Sequence, residues 1–458
     1  MFRWVSFSNH FFKRSHILAF ACCLLSTAAS LNAEVRVLRG FTLIDGTGAA
    51  AVPNSAMIID AGRITWIGAA SGLKVPAGAE VVDLAGRFVM PGMINLHGHI
   101  GVTKDAMTLD TKGYSRQTIE HDLKTYASYG ITTMLSLGLD KDDIFAVRDQ
   151  QRNSRPTMAR VYTAGGGFAY KEGIGGEVSF PGTGGAIVSS LSDIEPAVAE
   201  LAKKHVDVVK FWTDDNLGKA KRMPFDIDKA IIDSSHKHGL RVVAHVYYLE
   251  DAKKLTEFGV DGLAHIVRDK PVDQELISSM KKHGTWQIAA TLTRELSLFV
   301  FAKPADFLTD PFFTRSVSAD TLKTLNSPEY QQKAAADPNI AKYREQLEIG
   351  KKNLKALADG GVRYGIGTDT GVPGRFQGHF EHLELQEMVE AGLTPMQAIV
   401  AATKSGAEFL KAPDLGTLRK GKWADLIVLT KNPLDDIKNT HTIEAVYIAG
   451  NSVYTKER

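Results

Sequence analysis

The chain has 458 residues and a formal net charge of +2. That length exceeds one small core and predicts two domains, or one barrel with an accessory domain. A near-neutral charge offers nothing to a nucleic-acid backbone, and the only cysteines, Cys22 and Cys23, lie in the first 33 residues, which excludes thiolate metal ligands and a thiol nucleophile from the rest.

Residues 1–33 read as a secretory signal. Arg3, Lys13 and Arg14 are basic, residues 17–29 (ILAFACCLLSTAA) are apolar, and Ala33 can precede the cut, with Ser30 as the alternative. The apolar core is short for a membrane span. The expected product is periplasmic or secreted and makes no membrane contact after cleavage. Residues 34–91 then read as short strands separated by Asp45-Gly46, Ala61-Gly62 and Ala85-Gly86. Residues 407–458 repeat the style, with WADLIVLT, then IEAVYIAGNSVY turning at Ala449-Gly450-Asn451. Neither end makes a core alone, so the two are expected to form one small β-sandwich.

Between them, residues 92–406 alternate strand and helix. Eight apolar runs read as strands: VMPGMINLHGH, then 131–138, 158–165, 206–212, 241–248, 260–267, 285–292 and 362–369. The helix after the first has Ser115 to cap its start and Gly130 its end. Eight strands with intervening helices predict an α/β fold, a (β/α)₈ barrel of the TIM type. A doubly wound open sheet is the alternative, but GGGFAY at 165–170 is not a dinucleotide fingerprint. Two insertions, the glycine-rich 165–187 and the Phe/Pro/Asp-rich 293–345, follow strands and so are candidate lids and substrate walls.

Buried parallel strands ordinarily read as unbroken apolar runs. Here the first ends in His97 and His99, the fourth carries Lys210, the fifth His245, the sixth His265 and the eighth Asp369. In a strand His97 and His99 share a face, and a barrel places its chemistry at these strand ends. Nitrogen and oxygen ligands suit zinc best, with manganese, cobalt or iron as alternatives. Lys210, between Val209 and Phe211, is expensive to bury as an ammonium. It either pairs with Asp214 or Asp215, or its amine takes up carbon dioxide and becomes an anion able to bridge two cations. His205, His236, His238 and His283 fall on polar helical stretches and read as surface.

PGMINLHGH, VVKFW, AHVYY, LAHIV and GIGTDTG together resemble the amidohydrolase superfamily of metal-dependent hydrolases, in its imidazolonepropionase-like and prolidase-like branch. The resemblance implies two divalent metal ions: His97, His99 and Asp369 on one, His245 and His265 on the other, and a carboxylated Lys210 bridging them. Asn95 departs from the aspartate found in many members. The implied reaction is attack by a metal-bridging hydroxide on a planar carbonyl. The export signal favours a dipeptide or N-acyl amino acid as the small-molecule substrate. A lactonase, phosphotriesterase, phenylurea or carbamate hydrolase, and a non-catalytic scaffold, are the alternatives. Candidate substrate residues are Tyr247, two after His245, then Arg268, Arg294, Arg375 and His379 on loops after strands. Gly365 and Gly367 are expected to let metal or substrate approach the last strand. Homo-oligomerisation is left open.

Overall fold

In the computed structural model, residues 35–456 are described apart from Asn153, so the signal expected at 1–33 lies outside the described residues. The two chain ends meet in one eight-stranded sheet. Its seam is the antiparallel pairing of Phe88–Pro91 with Leu426–Leu429, where Val89 faces Val428. The first strand, Arg36–Leu43, pairs in parallel with Glu80–Asp83 along its first half and with Phe88–Pro91 along its second. Gly40, at φ +83°, lies at this change of partner, and irregular register there bends the strand. Leu38, Phe41, Met57, Ile64, Val89, Leu426 and Val428 fill the core. Two of its hairpins turn on Ala-Gly pairs, Ala61-Gly62 and Ala449-Gly450, with both residues at positive φ, as two-residue loops of this hand require.

The eight apolar runs of the middle become the barrel strands. Met93–Gly98, Ile131–Ser136 and Arg160–Thr163 pair in parallel as one sheet, and Val209–Trp212, Val242–His245, Gly262–Ala264 and Trp286–Ala289 pair in parallel as part of another. Asp207 N donates to Thr163 O (2.9 Å), which links the third run to the fourth. The eighth run is held by single parallel bridges: Tyr364 to Gln287 on one side, Ile366 and Thr370 to Asn95 and Gly98 on the other. Helices fill the crossovers. The first, Arg116–Ser128, is capped by Ser115, which accepts from Thr118 N.

Both insertions are ordered. The glycine-rich one adds the strands Phe168–Tyr170 and Ala186–Val188 to the sheet edge. Its glycines are there for close approach: a Cβ on Gly175 would fall 2.1 Å from the Trp212 ring, and one on Gly166 would fall 2.5 Å from the backbone of Gly185. The second insertion makes a small core of its own from Phe301, Leu308, Phe313 and Leu325, packed on Phe376 and Phe380. Among the described residues, no helix is long and apolar enough to cross a membrane.

Candidate metal centre

The strand ends bring the four predicted histidines into one chain of imidazoles. Ring centroids lie 5.5 Å apart for His97 and His99, 4.8 Å for His97 and His265, and 4.2 Å for His245 and His265. Asp369 closes one end, with Oδ1 2.9 Å from His99 Nε2 and 3.4 Å from His97 Nε2. Ligand atoms of His97, His99 and Asp369 all lie within 4.8 Å of one another. Each of these side chains is buried.

Local structure aims them. Asn95 replaces the expected aspartate and does positional work: its Oδ1 accepts from His97 N, and its Nδ2 donates to Glu381 (2.8 Å) and Thr368 (3.1 Å). The buried Glu381 carboxylate also accepts from Thr368, Thr370 and Gly378 N, tying the first and eighth strands to the helix His379–Glu390. His265 and Asp369 sit at φ +68° and +59°, left-handed backbone in non-glycine residues.

Three of the imidazoles have a ring nitrogen held by a residue other than Asp369. His99 Nδ1 faces Gly138 O (3.1 Å), His265 Nδ1 faces Thr291 Oγ1 (2.7 Å), and His245 Nε2 faces Asp214 Oδ2 (2.6 Å). Such outer partners orient metal-binding histidines. His97 Nδ1 and His245 Nδ1 are buried without hydrogen-bond partners. Burial holds His97 and His265 well below the ordinary imidazole range and His245 at about 4, so all three are neutral and have lone pairs to offer. Burial opposes ionisation of Asp369, but Arg375, His97 and His99 outweigh it and keep the carboxyl well below its usual range. A neutral-imidazole and carboxylate set fits a divalent cation.

Lys210 lies fully inside, and its Nζ has no hydrogen-bond partner. Neither aspartate bonds to it: Asp214 takes His245, and Asp215 takes Arg222 (3.2 Å) and the Tyr248 hydroxyl (2.8 Å). The nearest cation–π partner is the Trp212 ring, 5.2 Å away. Burial pulls its amine down to about 7, partly countered by Asp369 and Asp214.

The substrate candidates divide. Arg294 and Arg375 both reach Asp369 Oδ2, the former through Nε at 3.3 Å. Arg268 is held by Glu295 (2.9 Å) and donates to the carbonyls of Val246 and Ile266, and Arg294 pairs with the same Glu295. Tyr247 lies under the Arg268 guanidinium, 4.7 Å from ring centre, and its hydroxyl accepts from Gln346 (2.7 Å). His379 is grouped elsewhere, with Phe307, Phe313 and His441, and lines a cleft of about 520 Å³ that none of the four imidazoles line. Gly365 and Gly367 do not make room for metal or substrate. A Cβ on Gly367 would fall 2.4 Å from Ala289 Cβ and 2.7 Å from His97 Cβ, and one on Gly365 would fall 2.6 Å from Leu96. Their smallness serves strand packing. His205, His236, His238 and His283 are exposed as expected. Glu295, Thr291 and Asp214 are site neighbours that no spacing rule singles out, since each acts across strands.

Comparison with known proteins gives the family and agrees with the fold. The model of the "Amidohydrolase family" matches residues 88–453. Ochratoxinase of Aspergillus niger is 24% identical over 455 aligned residues, covering 90% of this chain and 85% of that protein. Imidazolonepropionase of Streptomyces griseus is 22% identical, covering 88% and 93%. The crystal structure of a Xaa-Pro dipeptidase with bound methionine superposes with a TM-score of 0.73 at 21% identity, covering 92% of this chain and all of that one.

Proposed function

Because the chain belongs to the amidohydrolase family and is thereby a hydrolase acting on carbon–nitrogen bonds, we propose that it is an exported two-metal enzyme that cleaves the amide bond of a dipeptide or N-acyl amino acid. The observation that carries this reading is Lys210: a buried, unpartnered amine beside four neutral or carboxylate-paired imidazoles. An amine titrating at about 7 is substantially neutral at physiological pH and so nucleophilic toward carbon dioxide. In this reading His97, His99 and Asp369 would hold one ion, His245 and His265 the other, and a carboxylated Lys210 would be a ligand to both. Two divalent ions, zinc for preference, would supply Lewis acidity and make water a better nucleophile near neutral pH.

The chain's own residues supply binding and proton transfer. Arg294 and Arg375 both lean on Asp369 Oδ2. A substrate carboxylate offers the two guanidiniums an alternative anion, with bidentate geometry available to each. Turning to it releases Oδ2. The released carboxylate takes a proton from the attacking water and gives it to the leaving nitrogen, which cannot depart as an amide anion. Arg268, paired with Glu295 and stacked over the Tyr247 ring, keeps Glu295 and hence Arg294 in place.

The test joins metal analysis to a substrate panel of dipeptides, N-acyl amino acids, lactones and phosphotriesters. We expect two ions per chain and turnover of substrates with a free carboxylate. Lys210→Ala should lose metal and activity and regain part of each with short carboxylic acids. Turnover confined to uncharged lactones or phosphotriesters would replace the amidase reading, and a fully active Lys210→Ala would remove the bridging role.

A further inference from the structure

His379 has no duty at the metal centre, yet it is buried with a polar atom to spare. It opens the helix His379–Glu390, is only 2% exposed, and its Nδ1 has no hydrogen-bond partner. An unpaired buried polar atom is destabilising and calls for a partner. The ring lines the cleft of about 520 Å³ that none of the four metal-centre imidazoles line. We propose that this cleft is a second small-molecule site, for an aromatic carboxylate: its ring packs on the phenylalanine walls, its carboxylate meets Arg344, and a hydroxyl on the ring meets His379. The proposal stands apart from the two-metal reading.

The cleft forms where the second insertion, the helix after the eighth strand and the C-terminal segment Ile437–His441 come together. Its volume falls in the range of small-molecule pockets, roughly 300–1,000 Å³, which are mostly apolar with a few placed polar groups. Leu296, Phe299, Phe307 and Leu383 supply the apolar walls. Two phenylalanines among them favour a flat ring, which packs offset or edge-on against either. The charge on the cleft is one-sided. Lys303, Arg344 and Lys438 line it and are exposed, and none pairs with an acid among the described residues. Of the two lining acids, Asp310 is committed. Its Oδ1 accepts from Phe312 N (2.8 Å) as the cap of the helix Pro311–Thr314, and its Oδ2 faces His441 Nδ1 (3.7 Å). That leaves Asp306 against three cations, a balance that draws an anion. Arg344 is already oriented, with its guanidinium 4.3 Å from the centre of the Phe299 ring. A guanidinium stacked on an aromatic face keeps its N–H edge free for a carboxylate. His379 adds polarity without charge. Burial above all, then His441 and Arg315, hold its imidazole at about 3, so the ring is neutral, with one donor and one acceptor. That suits a hydroxyl at the buried end and leaves the carboxylate to the exposed cations.

Calorimetric titration of the full chain with 4-hydroxyphenylacetate, phenylacetate and 4-hydroxyphenylacetamide tests this. The first should saturate one site at about 1 mM or tighter, a modest affinity for a ligand of that size. Phenylacetate should bind about 3- to 10-fold more weakly, for one neutral hydrogen bond lost, and the amide about 10- to 100-fold, for a charge-assisted one. Arg344→Gln should weaken 4-hydroxyphenylacetate by about as much as the amide is weakened. His379→Phe places an apolar ring in an aromatic cluster and removes the unpaired atom, so it should unfold no earlier than wild type, yet bind phenylacetate as well as the hydroxylated acid. Arg375→Ala, at the metal centre, should leave all three affinities unchanged. Circular dichroism checks that each variant is folded. Absence of saturable binding below about 1 mM would overturn the proposal. So would equal binding of acid and amide, or an undiminished preference for the hydroxyl in His379→Phe. Weakening by Arg375→Ala in place of Arg344→Gln would put the ligand at the metal centre and overturn it too.

Discussion

Replacing Lys210 by methionine should make the metal-free protein more stable while abolishing its chemistry. The side chain is wholly inaccessible, and its Nζ lacks a hydrogen bond. Burial brings its titration down from 10.5 to about 7. Over that interval, at about 1.36 kcal/mol per pH unit, holding the ammonium inside the fold costs roughly 5 kcal/mol. The sign follows from proton binding: between pH 7 and 10.5 the unfolded lysine carries more proton than the folded one, so stability rises with pH across that window. Below about pH 7 the whole penalty is present, and above 10.5 it has gone. Methionine has similar length, no charge and no such slope. Lys210→Met should therefore gain about 2–5 kcal/mol at pH 6, the lower bound allowing for relaxation around the ammonium. The gain should shrink steadily by pH 10. The assay is urea unfolding of chelator-treated, carbon-dioxide-free protein at a series of pH values. Other titrations are common to both proteins and cancel in the difference. A Lys210→Met variant no more stable than wild type at pH 6, or a gain that does not shrink with pH, would refute the reasoning.

Asp369→Asn should keep most of its metal yet lose at least about 100-fold in kcat on an anilide and less on an activated ester, because it is the proton shuttle that goes. Full recovery on adding metal would reduce Asp369 to a ligand. Arg375→Ala should raise KM for carboxylate-bearing substrates by about 10- to 100-fold, as expected for loss of a charge-assisted contact of roughly 1.5–3 kcal/mol. It should leave an uncharged ester substrate nearly unaffected, and equal losses on both would assign Arg375 to Asp369 alone. Gly367→Ala forces a Cβ to within 2.4 Å of Ala289 and 2.7 Å of His97. It should lower metal content more than it lowers the unfolding midpoint, and unchanged metal content would dismiss that packing role. Mass spectrometry of protein from its native host should find an N-terminus near Glu34, and an intact Met1 on the soluble protein would overturn export.

The sequence made the barrel legible because its strands are apolar runs of the right length and its candidate ligands interrupt those runs at one end. That pattern survives in one dimension. What it hides are contacts across strands. Asp214 reads equally well as a partner for Lys210, four residues before it, and only the parallel register of Trp212 with His245 brings it to the imidazole instead. Glu295 stands next to Arg294 in the chain, yet its second partner, Arg268, arrives from the preceding crossover. Gly365 and Gly367 do mark a close approach, but the approaching groups belong to Leu96, Ala289 and His97. A glycine announces that space is short and says nothing about who needs it. His379 follows the eighth strand as the other candidates do, but its helix turns it into the aromatic cluster of the second insertion.

The backbone at the strand ends was equally invisible, and it bears on why these residues sit where they do. His265, Thr291 and Asp369 are all left-handed, at φ +68°, +55° and +59°. For residues with a Cβ each such conformation costs of order 1–3 kcal/mol. Two of them are coupled, since the Thr291 hydroxyl meets His265 Nδ1. An extended strand would alternate its side chains between interior and helix layer. A left-handed residue at the exit instead swings the chain away while leaving its own side chain over the barrel mouth. That lets the sixth and eighth strands present a candidate ligand each from different registers: His265 is held by Thr291 (2.7 Å), and Asp369 is held to His97 O through its own N–H (2.8 Å). Asparagine or glycine would adopt this backbone more cheaply, but neither offers an imidazole or a carboxylate. At His265 and Asp369 the strain thus falls where the side chain cannot be exchanged for an easier one. The surrounding strands, with Val243, Leu263, Ala264, Ile288 and Ala289 fully buried beneath the site, supply the rigidity that keeps these residues from relaxing.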